Sequence, residues 1–437
     1  MHNSTALLTD RYELTMVDAA LRSGTANRAS VFEVFTRRLP GARRYGVVAG
    51  TGRLLDAIKR FRFEDSELSW LASQNFLQPK TLDWLANYRF SGEISGHPEG
   101  ELFFPNTPIL TVEASFAEGV LLETLALSIL NYDCAVATAA SRMFTAARGR
   151  KLAEMGSRRT GESSAVHAAR AAFIAGFDAT SNLEAGRTHG IPTMGTAAHA
   201  FTLLHDTEAD AFAAQVAALG PETTLLVDTY DIIQGVKTAI EVAGTGLGAV
   251  RIDSGDLTIV AAEVRRLLDS LGAHNTKITV TNDLDEHTIA ALAASPVDSF
   301  GVGTSVVTGS GSPTMGMVYK LVARQDGQGI WHDVAKNSSG KSNLGGKKTV
   351  QRRFEKGTAA AEVLVTEASK NASTATPAGD HENITVPLAI KGEPLPQYLG
   401  ETGLLAARAR HKESLKKMPR IAMSLRRGDP ALPTEVR

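Results

Sequence analysis

Through its middle third the chain alternates two patterns of apolar residues. Short β-type runs end in small polar residues, and each is followed by a helical pattern. TLLVDTY at 224–230 reads as a strand and DIIQGVKTAIEVA after it as a helix. AVRIDSGD at 249–256 with TIVAAEVRRLLDSLG repeats the pair, as does KITVTND at 277–283 with DEHTIAALAAS, and DSFGVGTS at 298–305 closes the series. Upstream, SSAVHAARAAFIA at 163–175 predicts a helix leading into FDATSN at 177–182, and IPTMGT at 191–196 predicts a further strand before AAHAF. A strand-to-strand spacing of about 25–30 residues matches β-α units.

Alternating β-α units build a parallel sheet, either open and doubly wound or closed as a barrel. No G-x-G-x-x-G follows a first strand, which weakens the dinucleotide-binding version of the open sheet. Successive strands end at Ser181, His199, Asp228, Asp253, Asp283 and Thr304. In a barrel those ends share one face, where barrel sites lie. The expected fold is therefore α/β: an irregular parallel (β/α) barrel over residues 126–325 that carries the site. The flanks differ. Residues 1–125 mix helical pieces (LLDAIKRF, SELSWLASQ) with strand-like ones (SVFEVFTRRL, EISGHPEGE, PILTVEA), as an α+β unit would. Residues 326–437 hold a basic Gly/Lys segment, KNSSGKSNLGGKKTVQRR, then an Ala-rich stretch and a basic helical tail. This C-terminal segment is expected to pack back on the N-terminal domain.

Composition narrows the function. The 46 Lys and Arg against 47 Asp and Glu give a formal charge of −1, and 43% of residues are hydrophobic. That is too apolar for a disordered chain and too neutral to coat nucleic acid without sequence preference. A strongly anionic ligand would need a local basic site. One cysteine, Cys134, leaves no intrachain disulfide framework or multi-Cys zinc site. Charges at Asp10, Arg11 and Glu13 come too early for a signal peptide. The longest uncharged stretch, 299–319, is rich in Gly, Ser and Thr and does not read as a membrane span. A cytoplasmic protein without nucleic-acid or membrane partners is expected.

Several segments hold reactive residue types. RIDSGD at 251–256 sets an arginine and two aspartates around a Ser-Gly turn; a capped β-α loop explains it as well as a site does, since Ser254 or Asp256 can cap the next helix. GVGTSVVTG at 301–309 lets backbone N–H groups approach a phosphate, or is simply a turn. EMGSRRTGESS at 154–164 offers Arg158 and Arg159 for bidentate contacts, or a solvated pair. His199 sits past a strand end among small residues. Asp228 at the next strand end could hold one of its ring nitrogens and leave the other as base or nucleophile. His189, His205, His274 and His287 read as structural or surface residues, and no zinc spacing is present. Lys336, Lys341, Lys347 and Lys348 lie in a glycine-broken loop that is either solvated or a lid over phosphates.

Taken in order, LLTDRYELTM (7–16), FTRRLP (35–40), PILTVE (108–113), GSRRTG (156–161), GFDATSN (176–182), GTAAH (195–199), DTYD (228–231), RIDSGD (251–256), TND (281–283), GVGTS (301–305) and the Lys-Gly segment at 336–353 resemble the nicotinate phosphoribosyltransferase family. The resemblance implies an irregular α/β barrel with an α/β domain built from both flanks. It also implies transfer of phosphoribosyl from phosphoribosyl pyrophosphate (PRPP) to nicotinate. The products are nicotinate mononucleotide and pyrophosphate, with ATP going to ADP and phosphate. Such enzymes are classed as ligases and serve NAD salvage at the Preiss–Handler step.

By the same resemblance His199 is the histidine that ATP phosphorylates and Asp228 orients it. Tyr12 stacks on the nicotinate ring across a homodimer interface. Arg158 and Thr196 line the pyridine pocket, and Arg251 meets the nicotinate carboxylate or PRPP. Ser181 stands where nicotinamide-using relatives carry an acid, which favours nicotinate. Asp253 meets the ribose hydroxyls; Asp283, Gly303 and Thr304 meet the 5′-phosphate region. The implied cofactors are ATP, as co-substrate, and Mg²⁺ held through phosphates rather than by a protein cage.

Overall fold

The computed structural model describes residues 4–336, 344–366 and 380–437. It divides into two compact units: Ala139–Gly311, and Met1–Thr138 together with Ser312–Arg437.

The unit Ala139–Gly311 is built on a six-stranded sheet. Its strands lie in the order Ala179–Thr180, Lys151–Glu154, Ser299–Val302, Lys277–Val280, Ala249–Ile252, Thr224–Leu226. Every neighbouring pair is parallel. Leu152, Leu225, Leu226, Val250, Ile252, Ile278, Val280, Phe300 and Val302 are all buried, as expected of parallel strands covered by crossover helices. The helices that follow the strands include Glu162–Ile174, Ile232–Ala243 and Leu257–Ser270. Asn182, Asp231, Asp256 and Asp285 sit at N-caps and accept backbone N–H groups, which fixes where each strand-end turn stops. Among the described residues no ladder joins the two end strands. Yet Ser181, beyond one end strand, and Thr224, on the other, line a single cavity. The sheet is thus curled into part of a barrel.

Three local expectations change. IPTMGT is not a strand: it touches the sheet only through a Thr180–Thr193 bridge. Pro192 has no N–H to give a ladder, which limits pairing there. Lys151–Glu154 is a strand that the pattern hid, because four residues with a charge at each end do not look apolar. Met317–Gln325, counted with the barrel, instead pairs antiparallel with Ala29–Thr36 in the other unit.

That other unit contains a seven-stranded antiparallel sheet ordered Trp331–Asp333, Met317–Gln325, Ala29–Thr36, Leu110–Ser115, Glu93–Gly96, Val386–Ile390, Glu393–Pro394. A four-stranded sheet holds Asp380–Asn383, Lys348–Glu355, Thr358–Thr366 and Thr434–Val436. Both sheets draw on distant stretches of sequence. The helical stretch Phe116–Ala147 is long and apolar enough to cross a membrane by length and composition. Its Leu121, Leu122, Leu125, Ala126 and Leu130, however, are core residues of this unit.

The basic segment is not a free loop where it is described. Lys348–Glu355 alternates buried and half-exposed positions, the period of a strand. Lys348 Nζ lies 2.9 Å from Glu33 Oε2, with both side chains almost fully buried. Lys347 pairs with Glu113 at 2.7 Å. Arg352, 2% exposed at its side chain, binds Glu101 at 2.6 Å, Glu362 at 2.6 Å and the Leu102 carbonyl at 2.9 Å. Ser414 donates to the other oxygen of Glu101 at 2.9 Å. Three stretches of chain therefore meet at one guanidinium, and a fourth is tied in through Glu101. Lys341 lies outside the described residues.

Two predictions follow from these buried charges. Arg352→Met should destabilise the unit by about 3–5 kcal/mol, because two carboxylates lose their buried counter-charge; urea denaturation against wild type measures this. The second concerns His97 and His411, both fully buried, whose imidazoles are pushed down to about 3, mainly by burial and secondly by a nearby arginine. The unfolded chain takes up those protons near pH 6.5 while the folded chain refuses them. Stability should therefore fall as pH drops from about 6.5 towards 3. His97→Leu should flatten that fall in a melting-temperature series; an unchanged slope would refute the assignment.

Candidate active site

Parallel strands in register leave their carboxyl ends on one rim. Glu154 pairs with Val302 and Thr180, and Val280 pairs with Ile252 and Phe300. Residues beyond these ends, with Thr224, Arg251, Thr279 and Gly301 from within the strands, line two cavities.

The first cavity, about 210 Å³, is lined by Met155, Ser157, Arg158, Ser181, Met194, Gly195, Thr196, Thr224, Arg251 and Thr279. The second, about 250 Å³, is lined by Met155, Arg158, Arg159, Arg251, Asp253, Thr281, Asn282, Asp283, Gly301, Gly303 and Thr304. Ser181 and Thr196 fall on the first, and Asp253, Asp283, Gly303 and Thr304 on the second. Arg158 and Arg251 face both. Arg251 is half-buried, and its Nε has no hydrogen-bond partner among the described residues. Burial pulls its pKa below the usual arginine value, against the opposing pull of Asp253 and Asp228. A guanidinium keeps its proton regardless, so the shift marks a cation whose burial is under-compensated.

The strand-end loops are tied together below the cavities. Glu154, fully buried, accepts from Thr180 Oγ1 at 2.6 Å and from the Gly156 N–H. Burial raises its pKa, and these two bonds hold the rise back. A Cβ at Gly156 would lie 2.2 Å from Val307 Cγ1 and 2.9 Å from the Gly303 carbonyl, so only glycine lets these two loops meet. Asn182 Nδ2 donates to Ser157 Oγ at 3.0 Å.

His199 opens the helix His199–Leu204. Its Nδ1 lies 3.1 Å from Thr229 Oγ1. Its Nε2 faces Asp228 Oδ1 at 3.8 Å and Asp253 Oδ2 at 4.0 Å, both longer than a hydrogen bond. Asp228 has no exposed side-chain surface. Its Oδ2 accepts from the Asp253 N–H at 2.8 Å and from Ser254 Oγ at 2.7 Å, while Oδ1 is buried without a hydrogen-bond partner among the described residues. Asp253 Oδ1 in turn accepts from Thr281 Oγ1 at 2.7 Å. Three strand ends are thus linked in one chain of hydrogen bonds. Glu208 stands beside this group, its pKa raised by burial first and then by Asp228 and Asp231.

Most of the expected site residues therefore converge. His199 and Asp228 line neither cavity but reach the second through Asp253. Tyr12 belongs to the other unit, 45% exposed at the start of the helix Arg11–Ser23. Lys347 and Lys348 are engaged with glutamates and are not free for phosphate. Sequence reasoning missed Met155, Met194, Thr224, Thr229, Thr279 and Glu154. Thr224 and Thr279 carried a signal, each being a polar position in an apolar strand run. Glu154 carried none that separates it from a surface acid. Among the described residues no group of three or more His, Cys, Asp or Glu side chains is placed to hold a metal.

An under-compensated Arg251 predicts affinity for anions. Pyrophosphate should raise the melting temperature of the protein, and Arg251→Gln should shrink that rise. Tenfold weaker binding removes about 1.4 kcal/mol of ligand stabilisation at saturating ligand. Equal shifts in the two proteins would refute the role.

Residues 7–131 match the family model of the nicotinate phosphoribosyltransferase N-terminal domain. A nicotinate phosphoribosyltransferase of Mycobacterium tuberculosis, PncB1, is 54% identical over 436 residues, covering 98% of this chain and 94% of its own. The nicotinate phosphoribosyltransferase of Bacillus subtilis is 38% identical over 362 residues, covering 80% of this chain and 73% of its own. The crystal structure of human nicotinic acid phosphoribosyltransferase superposes with a TM-score of 0.81 at 25% identity, covering 98% of this chain and 97% of that one. With identity of this order sustained along almost its whole length, the chain belongs to the nicotinate phosphoribosyltransferase family.

Proposed function

We propose that this protein transfers phosphoribosyl from PRPP to nicotinate, coupled to ATP through a phosphohistidine at His199, in NAD salvage. The supporting observation is a pair of adjoining cavities that share Arg158 and Arg251, with Asp253 linking the second to His199.

The first cavity suits a flat ring with one anionic substituent. Its lining mixes methionine and threonine side chains with two guanidiniums, and Arg251 or Arg158 would meet the nicotinate carboxylate. Ser181 is neutral and does not repel that carboxylate. The second cavity suits PRPP: Asp253 for the ribose hydroxyls, and Asp283, Gly303 and Thr304 towards the 5′-phosphate. The pyridine nitrogen attacks ribose C1 as the bond from C1 to pyrophosphate breaks, giving nicotinate mononucleotide and pyrophosphate. Positive charge grows on the sugar and negative charge on the leaving group, so positioning and arginine charge do most of the catalysis. Mg²⁺ commonly binds one or two carboxylates plus substrate phosphates. Asp253 and Asp283, on the wall of the second cavity, fit that donor set. The ion would neutralise charge on the departing pyrophosphate.

At His199, two carboxylates face Nε2 and one hydroxyl faces Nδ1. The proton belongs on Nε2, towards the open Oδ1 of Asp228. Nδ1 then carries the lone pair, which accepts from Thr229 Oγ1 until that hydroxyl turns away. We assign Nδ1 as the nucleophile: it takes the γ-phosphoryl group of ATP as the bond to the β-phosphate oxygen breaks and ADP leaves. Later attack by water returns phosphate and free His199. Coupling requires that the phosphorylated form contact PRPP differently from the free form. The reading also includes a homodimer in which Tyr12 stacks on nicotinate in the neighbouring site.

Incubation with nicotinate and PRPP, with and without ATP, tests this directly. Nicotinate mononucleotide should form, faster with ATP, and His199→Ala should abolish the ATP stimulation. No turnover of nicotinate would overturn the proposal. Ser181→Asp should cut nicotinate kcat/KM by at least about tenfold, because a like charge facing the carboxylate costs more than 1.4 kcal/mol, and should spare or improve nicotinamide.

A further inference from the structure

Glu154 lines neither cavity, yet it is bonded to both loops that wall the first. It ends the strand Lys151–Glu154, level with Thr180 in one neighbouring strand and Val302 in the other. There the backbone ladder towards Thr180 runs out: the Glu154 carbonyl takes the Ser181 N–H at 2.8 Å, and past that level side chains join the two loops. The Glu154 carboxylate is the centre of that join. One oxygen accepts the Gly156 N–H, where the tight turn Ser157–Arg159 begins, and the Gly156 carbonyl takes the Arg159 N–H at 2.8 Å. The other oxygen accepts the Thr180 hydroxyl at 2.6 Å. Thr180 in turn accepts the Asn182 N–H at 3.0 Å through its hydroxyl and the Met194 N–H at 2.9 Å through its carbonyl. Arg158 lies in the turn that Gly156 starts, Ser181 follows Thr180, and Met194 hangs from Thr180; all three are on the wall of the first cavity. Burying a carboxyl whose partners are an N–H and a hydroxyl rather than a cation is costly. An apolar side chain would fill the space at lower cost, so what the carboxyl adds is a fixed separation of the two loops.

We propose that Glu154 is a positioning residue for the pyridine: its carboxylate sets the distance between the turn that carries Arg158 and the loop that carries Ser181, so that the first cavity fits a flat ring between them. This rests on the reading above, in which that cavity takes nicotinate. Groups that meet a substrate keep their geometry through such supporting bonds, and a misplacement of about 1 Å costs up to about a hundredfold. Glutamine cannot replace the carboxylate in full. The Thr180 hydroxyl accepts from Asn182 and gives its own proton to Glu154; an amide N–H₂ in place of that oxygen leaves the proton without its acceptor.

Steady-state kinetics of the full-length protein, beside its melting temperature, tests the assignment. Glu154→Gln and Thr180→Val disrupt the same hydrogen bond from opposite ends. Each should raise the KM for nicotinate by about tenfold, with the KM for PRPP within about threefold of wild type. The double variant should be no worse than the worse single one. Thr180→Ser, which restores the hydroxyl, should recover most of what Thr180→Val loses. A purely structural Glu154 would lower the melting temperature and the active fraction, hence kcat, and leave the nicotinate KM in place; that result overturns the proposal while wild-type turnover of nicotinate stands. Equal rises in both KM values would mark a general distortion of the rim and overturn it as well. Absence of nicotinate turnover in the wild type would instead sink the reading on which the proposal rests, and the proposal with it. Thr180→Val and Thr180→Ser carry the test should Glu154→Gln fail to fold.

Discussion

Asp228 is the constraint from which the rim of the parallel sheet takes its order. A carboxylate with no exposed side-chain surface must have its oxygens satisfied or pay for each open one, about 1–3 kcal/mol for a buried acceptor. One oxygen of Asp228 is satisfied by the Asp253 N–H and the Ser254 hydroxyl. Those bonds fix the next strand-end turn, and Asp253 passes the order on to Thr281. The other oxygen is open and faces the His199 ring. A movement that brought the His199 Nε2 from 3.8 Å into hydrogen-bonding distance of Oδ1 would recover that cost.

The charge pattern extends the same logic. A chain of formal charge −1 has no global field to gather phosphates. Under the proposed function it would gather them with the arginines on the cavity walls, of which Arg251 keeps an Nε without a hydrogen-bond partner among the described residues. Buried cations in the other unit are fully spent instead. Lys348 forms an ion pair with Glu33 and donates to the Leu344 and Gly346 carbonyls, and Arg352 unites Glu101, Glu362 and Leu102. Residue type alone does not separate these uses. What separates them is whether a carboxylate lies within hydrogen-bonding reach.

That distinction sets how far the sequence could be read. The β-α rhythm was legible because parallel strands are nearly continuous apolar runs and helices keep their period. Strand-end motifs such as DTYD and RIDSGD were legible because turns between such elements confine polar residues to a few positions. Lys151–Glu154 was not, since a four-residue strand with polar ends carries too little pattern. The fate of Lys347, Lys348 and Arg352 was hidden for a different reason: Glu33, Glu101 and Glu113 are more than two hundred residues away in sequence. The distance from Asp228 to His199, and the partnership of Thr229 with Nδ1, are tertiary facts that no local spacing encodes.

Under the proposed function, choice of pyridine would follow from the same electrostatics. In that reading Arg251 is half-buried with an Nε that lacks a hydrogen-bond partner among the described residues, so a ligand that brings one negative charge to it would gain more than its own hydrogen bonds. Charge-assisted bonds are roughly twice as strong as neutral ones. A neutral amide could accept the same N–H groups but would leave the charge unbalanced. Under the proposed function Ser181 matters because it adds no charge: a hydroxyl there puts no further carboxylate against Arg158 and Arg251. Specificity is a difference between two affinities. In this reading the difference would arise from one cation only partly compensated by Asp253 and Asp228 and from a neutral neighbour, Ser181.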